Sequence, residues 1–365
     1  MQTIIVDLQE RAYPIHIAPE GWEALPHAIG GTIKGKKVMV VCDENTHRLY
    51  CSPVKSMLET KGYTVCQAVV PPGEASKSFE QAQALYTKAL EANLDRSSTI
   101  VALGGGVVGD LAGFIAATYM RGIGFIQIPT SLLAQVDSSV GGKVAINHPL
   151  AKNIIGAFYQ PRMVFINPHT LNTLPPREFA TGMAELIKHA FIADGDFITW
   201  LEQNMEALLS CDVQALTNAL YRSCSIKARV VEQDEREAGL RMILNFGHTI
   251  GHAIESATGY SKYTHGEAVA MGMVYEAKIA VHMGLIGQEY VKRLSSLLER
   301  AGLPTRLEAA DWGLIIQRMA YDKKNVDSRI AFVLPTGYGK VEVFKDVAID
   351  DIRRALADQQ KKEGK

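Results

Sequence analysis

The double proline in Leu174-Pro175-Pro176-Arg177 marks a change in the kind of structure the chain can form. Before it, runs rich in Val and Ile (Lys37–Cys42, Thr64–Val70, Thr99–Leu103 and Gly124–Ile128) alternate with helical stretches near 46–61, 78–93 and 107–120. Short apolar runs separated by helical segments read as β-α-β units, which bury a parallel sheet between helices. Thr3–Leu8 and Tyr13–Ala18 read as an opening strand pair. After the prolines, to about residue 320, Ala, Leu, Glu and Met dominate in a helical pattern. Proline starts a helix readily but cannot continue a central strand. The expected architecture is an α/β N-terminal domain with a parallel-sheet core over residues 1–174. A mainly α-helical C-terminal domain follows over 175–365, with Ile330–Leu334 and Lys340–Phe344 as a late hairpin. A chain of 365 residues also exceeds what one ordinary core accommodates.

Composition narrows the function classes. A net charge of −1 argues against nucleic acid as partner, since phosphate backbones select basic surfaces. The longest uncharged stretch, Gly122 to Val136, contains Pro129 and several polar residues, and is short for a membrane span. Asp7 and Glu10 stand where a signal peptide would be basic and then apolar. Five cysteines with no CxxC pair suit a reducing compartment. The expectation is a cytoplasmic enzyme with neither membrane nor nucleic acid among its partners.

Thr99–Leu103 runs directly into Gly104-Gly105-Gly106-Val107-Val108-Gly109-Asp110, and then a helix begins. This is GxGxxG between strand and helix, where backbone N–H groups can receive a diphosphate. It departs from the dinucleotide fingerprint, because the glycines follow a later strand and no acidic residue sits about 20 positions on. Asp43, with Asn45 nearby, is the alternative ribose-binding carboxylate; a glycine turn needed only for packing is the competing reading. Pro71-Pro72-Gly73-Glu74-Ala75-Ser76-Lys77 falls on the same sheet edge, as does Pro129-Thr130-Ser131. Gln135-Val136-Asp137-Ser138-Ser139-Val140-Gly141-Gly142-Lys143 reads as a polar loop, with Lys152-Asn153 beyond it. Arg121, Lys143, Lys152, Lys188, Lys227, Arg241 and Lys323-Lys324 recur beside these motifs. In a near-neutral chain that recurrence points to an anionic substrate carrying phosphate or carboxylate.

In Asn245-Phe246-Gly247-His248-Thr249-Ile250-Gly251-His252, the two histidines lie one helical turn apart on one face. His265 follows at a helix start. Three neighbouring imidazoles make a transition-metal site the leading reading, against a helix face with solvated histidines. Glu185, in Gly182-Met183-Ala184-Glu185-Leu186-Ile187-Lys188-His189, sits in an otherwise apolar helix; an ordinary ion pair with Lys188 is the alternative explanation.

Together the stretches LGGGVVGDLAGF, QVDSSVGGKVAINHPLAKNIIGAFYQP, LPPREFATGMAELIKH, LNFGHTIGHAIE and HGEAVAMGM resemble the 3-dehydroquinate synthase family, over about residues 37 to 334. The resemblance implies an N-terminal NAD-binding α/β domain, a C-terminal helical domain, a homodimer, and NAD with a divalent metal, zinc or in its place cobalt. It assigns Glu185, His248 and His265 to the metal. NAD contacts would come from Asp43 and Asn45, from Pro72, Gly73, Glu74, Ala75, Ser76 and Lys77, and from Gly106, Val107, Val108, Gly109 and Asp110. Thr130, Ser131, Lys143, Lys152 and Thr170-Leu171-Asn172-Thr173 would complete them. Substrate-facing groups would be Asp137, Lys143, Asn153, Lys188, Lys227, Arg241, Asn245, His252 and one of Lys323 or Lys324, with Arg121 reaching across the dimer. Two departures fall on the NAD side: Ser131 stands where threonine is usual, and Ser76 where an aromatic is often found.

The activity so implied is conversion of a sugar phosphate, 3-deoxy-D-arabino-heptulosonate 7-phosphate, to 3-dehydroquinate and phosphate. It proceeds through transient oxidation by NAD, phosphate elimination, re-reduction and intramolecular aldol closure. This is a lyase reaction of the shikimate route to chorismate and aromatic amino acids. Another sugar phosphate cyclase, or a metal-dependent polyol or alcohol dehydrogenase, is the alternative.

Overall fold

The computed structural model describes residues 1–308, 312–322, 331–348 and 351–354; Lys323 and Lys324, assigned above to the substrate, lie outside them. Two compact units result, and the division at Leu174 and Pro175 coincides with the double proline.

The first unit carries strands β1 (Gln2–Val6), β2 (Tyr13–Ile17), β3 (Lys37–Asp43), β4 (Thr64–Val70), β5 (Thr99–Gly104), β6 (Gly124–Pro129), β7 (Lys143–His148), β8 (Ala151–Phe158) and β9 (Met163–Ile166). Seven of them form one sheet in the order β1-β2-β9-β6-β5-β3-β4. Only β1 and β2 pair antiparallel; every other pairing in this sheet is parallel. Successive side chains alternate faces. Val38, Val40, Val101, Leu103, Ile126 and Ile128 pack into one apolar cluster, and Met39, Val41, Ile100, Ala102 and Phe125 into the other. A sheet covered on both faces needs no polar side, so its strands read as unbroken apolar runs.

Residues Cys211–Arg236 also belong to this first unit, unlike the expected boundary that gave all of 175–365 to the helical domain. The reason is local. Helix Val213–Gln233 buries Leu216, Leu220, Cys224 and Val231. Its Lys227 ammonium reaches Asp137 Oδ1 at 2.5 Å, and Glu232 accepts the Asp7 N–H at 2.8 Å. Helical periodicity shows that a face is buried but not which partner covers it. From the end of the polar stretch at 135–143 the chain forms the β7–β8 hairpin, which the sequence reading did not include and which places Lys152 and Asn153 on a strand. Its second strand is almost wholly exposed, so it carries no apolar alternation to read.

The second unit holds helices Pro176–Ala193, Gly195–Leu209, His248–Ala257, His265–His282, Gln288–Arg300 and Trp312–Asp322, with the antiparallel hairpin β10 (Phe332–Gly337) and β11 (Lys340–Phe344). Ile250, Ile254, Met271, Tyr275, Ile279, Phe332 and Leu334 share its core. Among the described residues, no helix is long and apolar enough to cross a membrane. The two histidine-bearing helices, His248–Ala257 and His265–His282, meet through glycines. Gly247 has a left-handed φ of 83°. A Cβ on Gly272 would overlap the Gly247 carbonyl oxygen.

That overlap decides the sign of a substitution. Gly→Ala in an open helix gains up to about 1 kcal/mol, whereas Gly272→Ala is expected to lose about 1–3 kcal/mol by overpacking. Thermal unfolding of the variant checks this; a Tm at or above that of the parent would mean the helices are not pressed together there.

Candidate active site

In the first unit, the segments assigned to a dinucleotide leave the carboxyl ends of β3, β4, β5, β6 and β9. The chain steps from β3 out to β4 and then returns across β3 to β5, so the direction of winding reverses there. Open α/β sheets bind ligands at such a reversal. Asp43 ends β3 and caps the following turn, with Oδ1 accepting the Thr46 N–H at 2.8 Å and the Thr46 hydroxyl at 2.9 Å. Asn45 is exposed and accepts from Arg48 at 2.7 Å. Gly105 precedes helix Gly106–Thr118 without a side chain, leaving the first-turn N–H groups to an anion.

Lys77 is buried, with its ammonium 2.7 Å from Asp110 Oδ2 and bonded to Asn153 Oδ1. Burial lifts the Asp110 carboxyl to about 6 against the pull of Lys77. Ser76 is buried and donates to the Pro71 carbonyl at 2.6 Å. Thr130 donates its N–H to the Gly104 carbonyl at 3.0 Å, which ties the β6 exit to the glycine turn. Ser131 Oγ accepts the Ala134 N–H at 3.3 Å. Thr170 Oγ1 accepts from Gln135 at 3.0 Å, and the Thr173 hydroxyl bonds Tyr50. Lys143, Lys152 and Arg121 are exposed, and Arg121 has a left-handed φ of 67°. Lys227, grouped above with the substrate residues of the helical half, lies in this unit on Asp137.

In the second unit, helix Pro176–Ala193 buries both Glu185 and Lys188, one turn apart, with the Lys188 ammonium against Glu185 Oε2. His248 Nε2 and His265 Nε2 each lie 3.6 Å from Glu185 Oε1. The two rings are 5.3 Å apart at their centroids. Apart from the Lys188 ammonium, Glu185 has no donor at ordinary hydrogen-bond distance among the described residues, an unusual condition for a buried carboxylate. These donors suit a metal. Tetrahedral zinc, with bonds of about 2.0–2.1 Å, sets its ligands about 3.4 Å apart. The outer ring nitrogens are held as well: His248 Nδ1 faces the Phe246 carbonyl at 3.3 Å, and His265 Nδ1 faces Glu255 Oε2 at 3.5 Å. Both rings therefore present Nε2 to Glu185.

Burial alone would raise the Glu185 carboxyl, but Lys188, then His265 and His248, hold it well below the usual carboxylate range. Burial, then the Lys188 charge, drives His248 well below the ordinary imidazole value. Burial also opposes charge on His265, yet the carboxylates of Glu185 and Glu255 beside it push it up to about 10. A cation entering this cluster displaces that proton.

His252 is exposed; its ring lies 5.2 Å from that of His248 and 6.0 Å from that of His265. It groups with Glu255 and His265 rather than with Glu185. Arg241 is buried, and Asn245 donates to Glu237 at 3.0 Å. Three groups escaped sequence reasoning. Asn147 holds the Asn153 N–H at 2.8 Å and donates to Glu74 at 2.7 Å. Glu255 stands one turn beyond His252, a spacing that would have revealed it. Glu276, a lone acid in the apolar run of helix His265–His282, gave the same signal as Glu185.

The family model for the 3-dehydroquinate synthase N-terminal domain matches residues 67–181, and that for the C-terminal domain matches 182–325. A 3-dehydroquinate synthase of Desulforamulus reducens is 53% identical over 361 residues, 98% of this chain and 100% of the relative. A crystal structure of 2-deoxy-scyllo-inosose synthase, complexed with carbaglucose-6-phosphate, NAD+ and Co2+, superposes with a TM-score of 0.86 at 28% identity, over 97% of this chain and 99% of the other. The 2-epi-5-epi-valiolone synthase of Streptomyces hygroscopicus subsp. jinggangensis, with NAD+ and Zn2+ bound, gives a TM-score of 0.88 at 25% identity, over 98% and 99%. The chain belongs to the 3-dehydroquinate synthase family.

Proposed function

We propose that the chain converts 3-deoxy-D-arabino-heptulosonate 7-phosphate to 3-dehydroquinate and phosphate, acting as a carbon–oxygen lyase. The observation that carries this reading is the buried Glu185 carboxylate beside Lys188 and facing both His248 and His265, in a chain more than half identical to a 3-dehydroquinate synthase along its length. Glu185, His248 and His265 would hold a divalent metal, zinc or cobalt, which supplies Lewis acidity toward a substrate alcohol. NAD would lie on the sheet edge between Asp43 and the Gly106–Asp110 turn, supplying a hydride acceptor that the reaction restores.

The remaining chemistry belongs to side chains. Lys188 places a buried positive charge beside the donor set, favouring oxyanions there. Arg241, Lys227 and one of Lys323 or Lys324 bind the phosphate and carboxylate and set their geometry. Asp137 holds Lys227 in place, and Asn153 is fixed by Asn147 and Lys77. Exposed and next to His248, His252 moves protons. The five cysteines are all free thiols, which supports a reducing, cytoplasmic setting. A homodimer, with Arg121 serving the partner's site, completes the reading.

NAD should be required but not consumed. With sub-stoichiometric NAD and zinc, purified protein is expected to release phosphate over many turnovers with no lasting NADH absorbance. Steady NADH accumulation equal to product would replace the cyclase by a dehydrogenase.

The metal assignment has its own check. His248→Ala and His265→Ala are expected to lose zinc and activity together. His252→Ala should keep near-stoichiometric zinc while turnover falls roughly 10²-fold. Metal content after dialysis decides between them, and a zinc-free His252→Ala beside a zinc-loaded His265→Ala reverses the assignment.

Arg241→Ala should raise KM or lower kcat/KM by roughly 1.5–3 kcal/mol, the loss of a charged hydrogen bond. Steady-state kinetics at matched stability test this; an unchanged kcat/KM would remove Arg241 from the substrate.

A further inference from the structure

We propose that Glu276 is a positioning residue for the metal centre: its buried carboxylate closes the open start of helix His248–Ala257 and so sets where His248 stands. This rests on the reading that Glu185, His248 and His265 hold a divalent metal. The first residues of a helix leave N–H groups without partners, which a side chain just before the helix usually receives. Here that place is taken by Gly247, which has no side chain and a left-handed φ of 83°.

Glu276 supplies what is missing from another helix. Fully buried on helix His265–His282, it accepts the Gly247 N–H on Oε2 at 2.6 Å and the Ile250 N–H on Oε1 at 3.3 Å. These are the two bonds of a capping box. The neighbouring helix makes both from its own residues, through Thr264 and Glu267. In helix His248–Ala257 a single remote carboxylate makes both. His248 is the first residue of that helix, between the two anchored amides. One helix thus contributes His265 directly and fixes the backbone under His248.

The charge of Glu276 matters as well as its reach. A helix start carries about half a positive charge, which is adverse to a dication held at that end. A carboxylate on the same N–H groups cancels it. Replacement by the isosteric amide keeps the shape but removes the charge, and turns an N–H donor toward an N–H donor.

The experiment is zinc affinity of the full-length apo-protein, measured by competition with a chromophoric chelator. Visible spectra of the cobalt-loaded protein report the ligand field. Glu276→Gln is expected to raise the zinc Kd by about tenfold to a hundredfold, as outer partners of metal ligands do, and to shift the cobalt bands. Ile279→Val, in the same helix and core, should lower Tm while leaving Kd and spectrum unchanged. A Glu276→Gln protein of lower Tm with the parental Kd and spectrum would reduce Glu276 to a structural cap and overturn the proposal. Failure of the parent itself to bind zinc would instead overturn the metal reading. If Glu276→Gln does not fold, amide exchange in the parent decides. Zinc should slow exchange at Gly247 and Ile250, and unchanged rates there count against the coupling.

Discussion

Burying Glu185 and Lys188 side by side on one helix is the constraint around which the second unit is arranged. Withdrawing two charges from water costs several kcal/mol per ion, and their attraction offsets that only when further partners converge. The partners come from His248 and His265, on two other helices. For both rings to reach one carboxylate those helices must approach closely, which explains the glycines at 247 and 272. The approach is also pinned beyond the site. Arg177, at the start of the Glu185 helix, bonds Glu267 at 2.8 and 2.7 Å, and the Thr181 hydroxyl donates to Thr264 at 2.7 Å. Gly266 lies so close to Thr181 that a side chain would not fit.

The first unit solves its recognition problem differently. The edge proposed for the dinucleotide would rely on backbone N–H groups and short loops at strand ends, where position follows from the sheet. Its buried charges are used to tie loops together. Lys77 joins the loop after β4 to Asp110 after β5 and to Asn153 of β8. Three chain segments are held by one ammonium. Its loss would unpin all three at once, so any effect on the proposed dinucleotide site would arise through geometry.

The contrast explains what was legible in the sequence. Strands β3 to β6 were readable because both faces of the sheet are apolar, and the glycine turn because its context was strand then helix. The β7–β8 hairpin was not, since an exposed strand has no burial pattern to impose on its residues. Helix Val213–Gln233 was readable as a helix but not as part of the first unit, because amphipathicity does not name a partner. Glu185, His248 and His265 were named through family resemblance; spacing alone favoured His248 with His252. Glu276 was unreadable as a cap, since the amides it receives lie 29 and 26 residues away in sequence.

Why helical spacing misleads here follows from charge. Two imidazoles one turn apart can share a cation on any helix, so the i, i+4 pattern states only what a single helix permits. A buried carboxylate that faces two imidazoles is a stronger demand, because it stays costly unless positive charge converges on it, from Lys188 and from a bound cation. Glu185 faces His248 and His265, while the exposed His252 ring is turned toward Glu255 and His265. The net charge then bears on the substrate. Glu185 and Lys188 cancel and Glu255 beside His265 offsets a further charge, so a dication held by two neutral histidines and Glu185 would leave a small positive excess. Structural metal sites avoid that excess with several anionic ligands. A site that keeps Lys188 buried beside the proposed metal ligands retains it, and an excess of this kind favours an anion. A sugar phosphate bearing a carboxylate meets that requirement, and a neutral polyol does not.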